Sequence, residues 1–228
     1  MTRKHRKNDH PRIPLRNRSQ PLGKPYELTY DRYEMQTKHS SSPAPENELT
    51  HSIVNFWFNE ISPKQWWVKS TEFDQLIRDR FLPVYEQTRD GQHLQWLNSA
   101  QSCLARIIVL DQFPRNMFRE KPESFQTDEL ALAASKHAIN SGFDSEKPSN
   151  HKAFLYMPFI HSEALEDQVK AIELFTAAGS ELTDNLKFSE RHKTIIEQFG
   201  RFPHRNQILG RASSQAELEF LKQPGSRF

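Results

Sequence analysis

Residues 99–112 read Ser-Ala-Gln-Ser-Cys-Leu-Ala-Arg-Ile-Ile-Val-Leu-Asp-Gln, the stretch that most clearly indicates the fold. Apolar residues recur in it at helical spacing, with Leu104, Ile107, Ile108 and Leu110 as the largest. A helix that is apolar over most of its surface is typical of the interior of a helical domain. We therefore predict a central helix over residues 99–112.

The same spacing continues on both sides of this helix. It predicts further helices over residues 47–61, 70–90, 127–141, 152–157, 163–178, 185–199 and 214–221, with Pro158 ending the fourth of these. Expected helix ends include Ser70, Gly142 and the capping-box pair Ser214 and Glu217. No segment alternates polar and apolar residues as a strand does. We predict an all-α fold of antiparallel helix pairs, arranged as a bundle or a solenoid-like stack.

The first 46 residues differ in composition from the rest of the chain. They hold ten Lys/Arg and five Asp/Glu, a formal charge of +5, whereas the remainder holds 21 and 24, a charge of −3. We predict a disordered basic tail and Ser/Pro linker over residues 1–46 and a single all-helical domain over residues 47–228. The tail is a solvated extension, a mis-called start, or an arm for nucleic acid. The last is disfavoured because no aromatic or Gly-rich pattern interleaves the charges.

Composition also indicates where the chain works. Its single cysteine, Cys103, cannot form an intrachain disulfide and lies in the apolar central helix, so we expect a buried structural thiol. No stretch approaches the roughly 20 apolar residues that span a bilayer, and the basic N-terminus lacks the apolar segment of a secretory signal. We therefore expect a cytoplasmic protein without a membrane span.

Two widely separated segments of the chain are similar to each other. At residues 112–116 and 198–206, an apolar helix with a glutamine near its end leads into Phe-Pro and then Arg-Asn. Because proline disfavours a helical residue before it, we expect Phe113 and Phe202 to be extended and each helix to end there. The spacing is not that of a short helical repeat. It favours two related halves that place matching polar loops.

Arginine and asparagine residues in or after these loops are the candidate ligand-binding residues: Arg115, Asn116, Arg119, Arg205, Asn206 and Arg211. In a purely structural interpretation, the guanidinium groups satisfy carbonyls at helix ends or pair with a carboxylate such as Asp111. The functional hypothesis is that they converge on an anionic ligand, which guanidinium groups bind in a bidentate manner.

A second polar group lies around the helix start predicted at residue 163. The candidate catalytic residues are His161, Glu163, Asp111 and His204, because imidazoles and carboxylates perform acid–base chemistry. His192 together with the other two histidines could form a metal site, but no H-E-x-x-H or C-x-x-C spacing is present and we predict no metal. Ser162 lacks the G-x-S-x-G context of a hydrolase nucleophile. The sequence indicates no particular cofactor.

The folded part resembles the bacterial family known as domain of unknown function 924. The resemblance covers about residues 50–228 and rests on Phe56-Trp57-Phe58 and on longer segments at residues 110–116, 157–163, 199–206 and 209–221. It implies a tetratricopeptide-like helical fold but no particular reaction. Folds of this kind usually bind peptides or scaffold assemblies, and fold alone does not fix function.

Three functions stay open on the sequence. The one we favour is a binding module for a small anionic ligand or peptide at the helix-end loops. The second is a hydrolase-like or acid–base enzyme that uses the His, Glu, Asp and Arg residues named above. The third is nucleic-acid association through the basic tail, which the acidic charge of the folded part disfavours.

Overall fold

The computed structural model describes residues 44–227, and the side chains of residues 47–227. All regular elements in this part are helical, which confirms the all-α prediction. The α-helices are α1 (Ala44–Asn55), α2 (Thr71–Arg89), α3 (Ala100–Ile107), α4 (Phe113–Met117), α5 (Asp128–Asn140), α6 (Ser149–His161), α7 (Leu165–Ala178), α8 (Thr183–Phe199) and α9 (Gln215–Phe220). The predicted tail lies outside the described residues, apart from the first turn of α1.

Helix α3 and the π turn Ile108–Gln112 that extends it form the predicted central element. Every residue from Cys103 to Leu110 is buried, and α3 packs against α1, α5 and α6. Burial of each large aliphatic side chain contributes about 1.5–3 kcal/mol, so this short segment carries much of the core. Burial also raises the pKa of the Cys103 thiol to about 12. Cys103 is therefore a buried free thiol, as the apolar helix around it predicted.

Local capping explains several helix ends. The hydroxyl of Ser70 accepts a hydrogen bond from the Phe73 N–H at 3.2 Å and starts α2. Ser214 and Glu217 form the predicted reciprocal capping box that starts α9. Gly200 ends α8 in the left-handed conformation, with φ of 68°, which a residue with a β-carbon adopts at a cost. These ends follow from the local sequence alone.

The first Phe-Pro segment does not end its helix, contrary to our prediction. Phe113 has helical dihedral angles, and the chain continues from the π turn directly into α4. Pro114 has no N–H to donate to the carbonyl of Leu110, four residues earlier. The hydroxyl of Thr127 donates to that carbonyl instead, at 2.5 Å. A side chain from a later segment therefore satisfies the backbone group that proline leaves open.

The second Phe-Pro segment behaves as predicted. Phe202 is extended, with φ of −88° and ψ of 107°, and α8 has already ended at Phe199. The two similar segments thus adopt different backbone conformations. The prediction that Pro158 ends its helix is wrong, because Pro158 lies inside α6. Residues 153–160 are all buried, and this tertiary packing outweighs the cost of about 3 kcal/mol for an internal proline.

In the last part of the described chain, sharp turns between packed helices position polar groups. Only residues 162–164 separate α6 from α7, and these helices pack together, as do α7 and α8. Such short connections reverse the chain direction. Gln168 of α7 reinforces the first turn, since its Nε2 donates to the carbonyls of Ile160 at 2.7 Å and Ser162 at 2.6 Å. His161, the last residue of α6, is thereby held at a defined place.

Candidate functional site

A buried aspartate and a histidine form the centre of the site. Asp111 lies in the π turn after α3 with no exposed surface, and its Oδ1 is 2.7 Å from Nδ1 of His161 at the end of α6. Gln112 donates to the other carboxylate oxygen at 2.5 Å. A π turn, which is common at functional sites, directs both side chains inward. The carboxylate fixes the imidazole so that Nδ1 carries the hydrogen and Nε2 stays available as a base.

Two arginines, one from each Phe-Pro segment, meet at a single carboxylate. Nη1 of Arg115 lies 2.9 Å from Oδ1 of Asp128, and Nη1 of Arg205 lies 3.1 Å from its Oδ2. Asp128 is the first residue of α5, so the positive end of that helix also favours its charge. Arg115 additionally lies 3.2 Å from Asp111. The two segments therefore converge although their backbones differ.

The aromatic surroundings of these arginines keep them oriented. The guanidinium carbon of Arg205 lies 4.5 Å from the ring centre of Phe125 and 4.7 Å from that of Phe202. Arg115 lies 6.0 Å from the same Phe125 ring. Cation–π contacts of this kind stabilise a desolvated guanidinium group. Nη2 of Arg205 also donates to the carbonyl of His161 at 3.1 Å, which joins it to the aspartate–histidine pair.

A third ion pair lies beside the second Phe-Pro segment. Arg211 binds the carboxylate of Glu163 in a bidentate manner, at 2.7 and 2.9 Å. Oε1 of Glu163 also accepts a hydrogen bond from the Phe202 N–H at 2.8 Å. Glu163 is therefore occupied with holding the loop. Burial would raise the pKa of Glu163, but the hydrogen bond from Arg211 and its positive charge lower it.

We call this group of side chains the charge cluster; it comprises three acids (Asp111, Asp128 and Glu163), three arginines (Arg115, Arg205 and Arg211) and three histidines (His161, His192 and His204). Burial would raise the pKa of Asp111, but the charges of Arg115 and His161 and its hydrogen bonds lower it to about 2. Burial lowers the pKa of His192 and that of His204 to about 3. Burial and then Arg115 lower the pKa of His161, against the opposing effect of Asp111. The three histidines are thus neutral at pH 7.

Each arginine of the charge cluster retains one buried N–H group that no described residue accepts. These groups are Nη2 of Arg115, Nε of Arg205 and Nε of Arg211. Arg205 as a whole is only 7% exposed. A buried donor without a partner costs about 1–3 kcal/mol, and native structures contain few of them. Three such donors in one cluster indicate a place suited to an additional acceptor.

Not every predicted residue joins the cluster. Arg119 pairs instead with Asp74, in a bidentate contact of 2.7 and 2.6 Å. Asn116 donates to the Gln112 carbonyl at 2.9 Å and accepts from Arg119. Asn206 is fully buried, and its Nδ2 donates to Ser213 Oγ at 3.1 Å and to Oε1 of Glu217, a member of the α9 capping box, at 3.2 Å.

Sequence reasoning missed Asp128 and Phe125, which join the two arginines. Asp128 and Arg205 are 77 residues apart, so no local spacing relates them. An acid in the first turn of a helix is also common for purely local electrostatic reasons. Only its two arginine partners distinguish Asp128 from other such acids.

Two cavities in the described part of the chain lie away from the charge cluster. One of 490 Å³ is lined by Asn47, Glu48, Thr50, His51, Ser99 and Gln101, and one of 210 Å³ shares His51 and Gln101 with it. In residues 44–227 no three His, Cys, Asp or Glu side chains are placed to hold a metal ion. None of the helices in that range has the length and apolar character needed to cross a bilayer.

Comparison with other proteins identifies the family. The family described as "Bacterial protein of unknown function (DUF924)" matches residues 53–225. A solved structure of a protein of unknown function from Agrobacterium tumefaciens is 36% identical, with a TM-score of 0.73, covering 77% of this chain and 98% of that one. No curated protein matches the chain. The family match includes every residue of the charge cluster, and the chain belongs to the bacterial family DUF924.

Proposed function

We propose that the charge cluster binds a small anionic ligand through Arg115 and Arg205. The observation that carries this proposal is that the two guanidinium groups meet at one carboxylate, 2.9 and 3.1 Å from its oxygens. The Asp128 carboxylate supports the proposal, because it lies between the two groups through a hydrogen bond from Arg205 and an ion pair with Arg115. Their spare N–H groups supply donors that a carboxylate or phosphate of a ligand accepts. The carboxyl terminus of a peptide shares this chemistry, but a small ligand needs less room beside the buried Arg205.

Calorimetric titration of the full chain with inorganic sulfate tests this proposal. Arg205→Gln removes one of the two converging cations, and we expect at least a tenfold loss of sulfate affinity, since charge-assisted hydrogen bonds contribute about 1.5–3 kcal/mol. The matched control is Arg119→Gln, which breaks another arginine–aspartate pair outside the cluster. Equal effects of the two substitutions, or no binding by the wild-type protein, would show that the cluster is a structural ion network.

Acid–base catalysis is a second candidate function, favoured by one observation. Asp111 is completely buried and holds Nδ1 of His161 at 2.7 Å, an arrangement in which the carboxylate stabilises an imidazolium formed during proton transfer. His204 lies in the same cluster, whereas Glu163 is engaged by Arg211. Hydrolysis of p-nitrophenyl acetate or phosphate by the wild-type protein, with loss in His161→Gln and retention in His51→Gln, would support this candidate.

Nucleic-acid association through the basic tail stays a prediction, because residues 1–43 lie outside the described part. Removal of residues 1–43 should abolish a salt-dependent affinity of the full chain for nucleic acid, since phosphate contacts release counterions. Equal affinity of the full and shortened chains would contradict that role.

A further inference from the structure

The charge cluster has no net charge near pH 7, and this disfavours the binding of an anion without a compensating positive charge. Its three acids and three arginines cancel, and burial keeps its histidines neutral near pH 7. A further negative charge placed there would lack a counter-charge in a mostly buried site, which is costly. Binding of an anion is therefore favoured if the cluster gains one positive charge at the same time.

His161 is the group best placed to gain that charge. Its Nδ1–H points to the Asp111 carboxylate, so a proton added at Nε2 creates an imidazolium 2.7 Å from a buried anion. His192 has a different partner, since its Nδ1 lies 2.7 Å from the Phe188 carbonyl, a neutral acceptor. An imidazolium gains more from a carboxylate than from a carbonyl, because hydrogen bonds between charged groups are the stronger ones.

The charged groups that face His161 from neighbouring helices and turns determine how readily its imidazole takes up a proton. Asp111 favours the imidazolium and Arg115 opposes it, while Asp128 at the start of α5 favours it. From the segment around α8, His192 interacts with it electrostatically and Arg205 contacts its carbonyl. An anion between Arg115 and Arg205 would offset the positive charge of Arg115, which opposes protonation of His161. Anion binding and protonation of His161 should then reinforce each other.

We propose that the charge cluster binds a small oxyanion together with one proton, taken up from solvent at Nε2 of His161, so that the anion binds more tightly as the pH falls. This inference rests on the proposed function. The proton comes from solvent or buffer and adds to the lone pair of Nε2, and no bond within the anion changes.

Sulfate is a suitable probe because it does not itself titrate near neutral pH. Its affinity for the full chain would be measured by calorimetry at pH 8, 7 and 6. Uptake of one proton predicts an affinity that rises about tenfold for each unit by which the pH is lowered. A second measurement on the wild-type protein compares two buffers with different ionisation enthalpies. The binding heats measured in the two buffers should differ by the difference between the two ionisation enthalpies, because one proton leaves the buffer for each sulfate bound.

Two matched variants test whether His161 is the residue that takes up the proton. His161→Gln should bind sulfate with less than a twofold change across this pH range, whereas His51→Gln, outside the cluster, should keep the wild-type pH dependence. A pH-independent affinity and equal heats in both buffers would overturn the inference but leave the proposed function intact. A pH dependence that persists in His161→Gln would also overturn it. Absence of sulfate binding at every pH would instead remove the proposed function itself.

Discussion

Asp128 lies between Arg115 and Arg205, beside the place that we assign to a ligand, so its charge should oppose the binding of any anion there. The substitution Asp128→Asn removes this competing charge and keeps the size of the side chain. Two like charges about 4 Å apart repel by about 4 kcal/mol at an effective dielectric constant of 20. The side chain of Asp128 is 17% exposed, so we halve this value to about 2 kcal/mol for solvent screening.

A gain of about 2 kcal/mol corresponds to roughly 30-fold tighter sulfate binding. The assay is calorimetric titration at fixed pH and ionic strength, with thermal unfolding monitored to confirm that the variant is folded. Asp74→Asn is the matched control, because it frees Arg119 in the same way but lies outside the cluster. An affinity of folded Asp128→Asn within threefold of wild type, or an equal gain in the control, would refute the competition argument.

Three further predictions concern the groups that build the site. Thr127→Val should lower the free energy of unfolding, measured by urea denaturation, by about 1–3 kcal/mol, because it leaves the Leu110 carbonyl without a hydrogen bond. In a Pro114→Ala background the same substitution should cost clearly less. Equal costs in the two backgrounds would contradict this explanation. Asp111→Asn should lower the free energy of unfolding, measured by urea denaturation, by about 2 kcal/mol at pH 7. The difference in stability from wild type should shrink as the pH falls from 3.8 towards 2, because a carboxylate with a lowered pKa stabilises the fold only while it is ionised. Cys103 should react with a thiol reagent at pH 8 only after unfolding, and rapid labelling of the folded protein would be inconsistent with its burial.

Local patterns predicted much of the helical framework. The buried run around Leu104 and the capping serines Ser70 and Ser214 follow from spacing and side-chain chemistry within one helix. The errors occurred at Pro114 and Pro158, where a general preference of proline was applied without its tertiary context. In both cases, contacts from other segments or the packing of the helix outweighed that preference.

For the site, sequence similarity between the two Phe-Pro segments singled out Arg115 and Arg205, and the structure places both arginines at the carboxylate of Asp128. It did not predict that the two segments differ in backbone conformation, nor that Arg119 pairs outside the cluster with Asp74. The expected grouping of Asp111 with His161 rested on residue type alone. Whether such residues meet depends on how α3 and α6 pack, which no local spacing encodes.

Most of the helices and the capped ends at Ser70 and Ser214 were predictable from the sequence, because they depend on interactions between near neighbours in the chain. The membership of the charge cluster depends instead on how the helices pack. Arg115 and Arg205 meet because α4 and the turn after α8 both approach the start of α5, where Asp128 attracts them. Electrostatic and hydrogen-bond contacts act over a few ångströms in space, so partners far apart in sequence become predictable only when the packing is known.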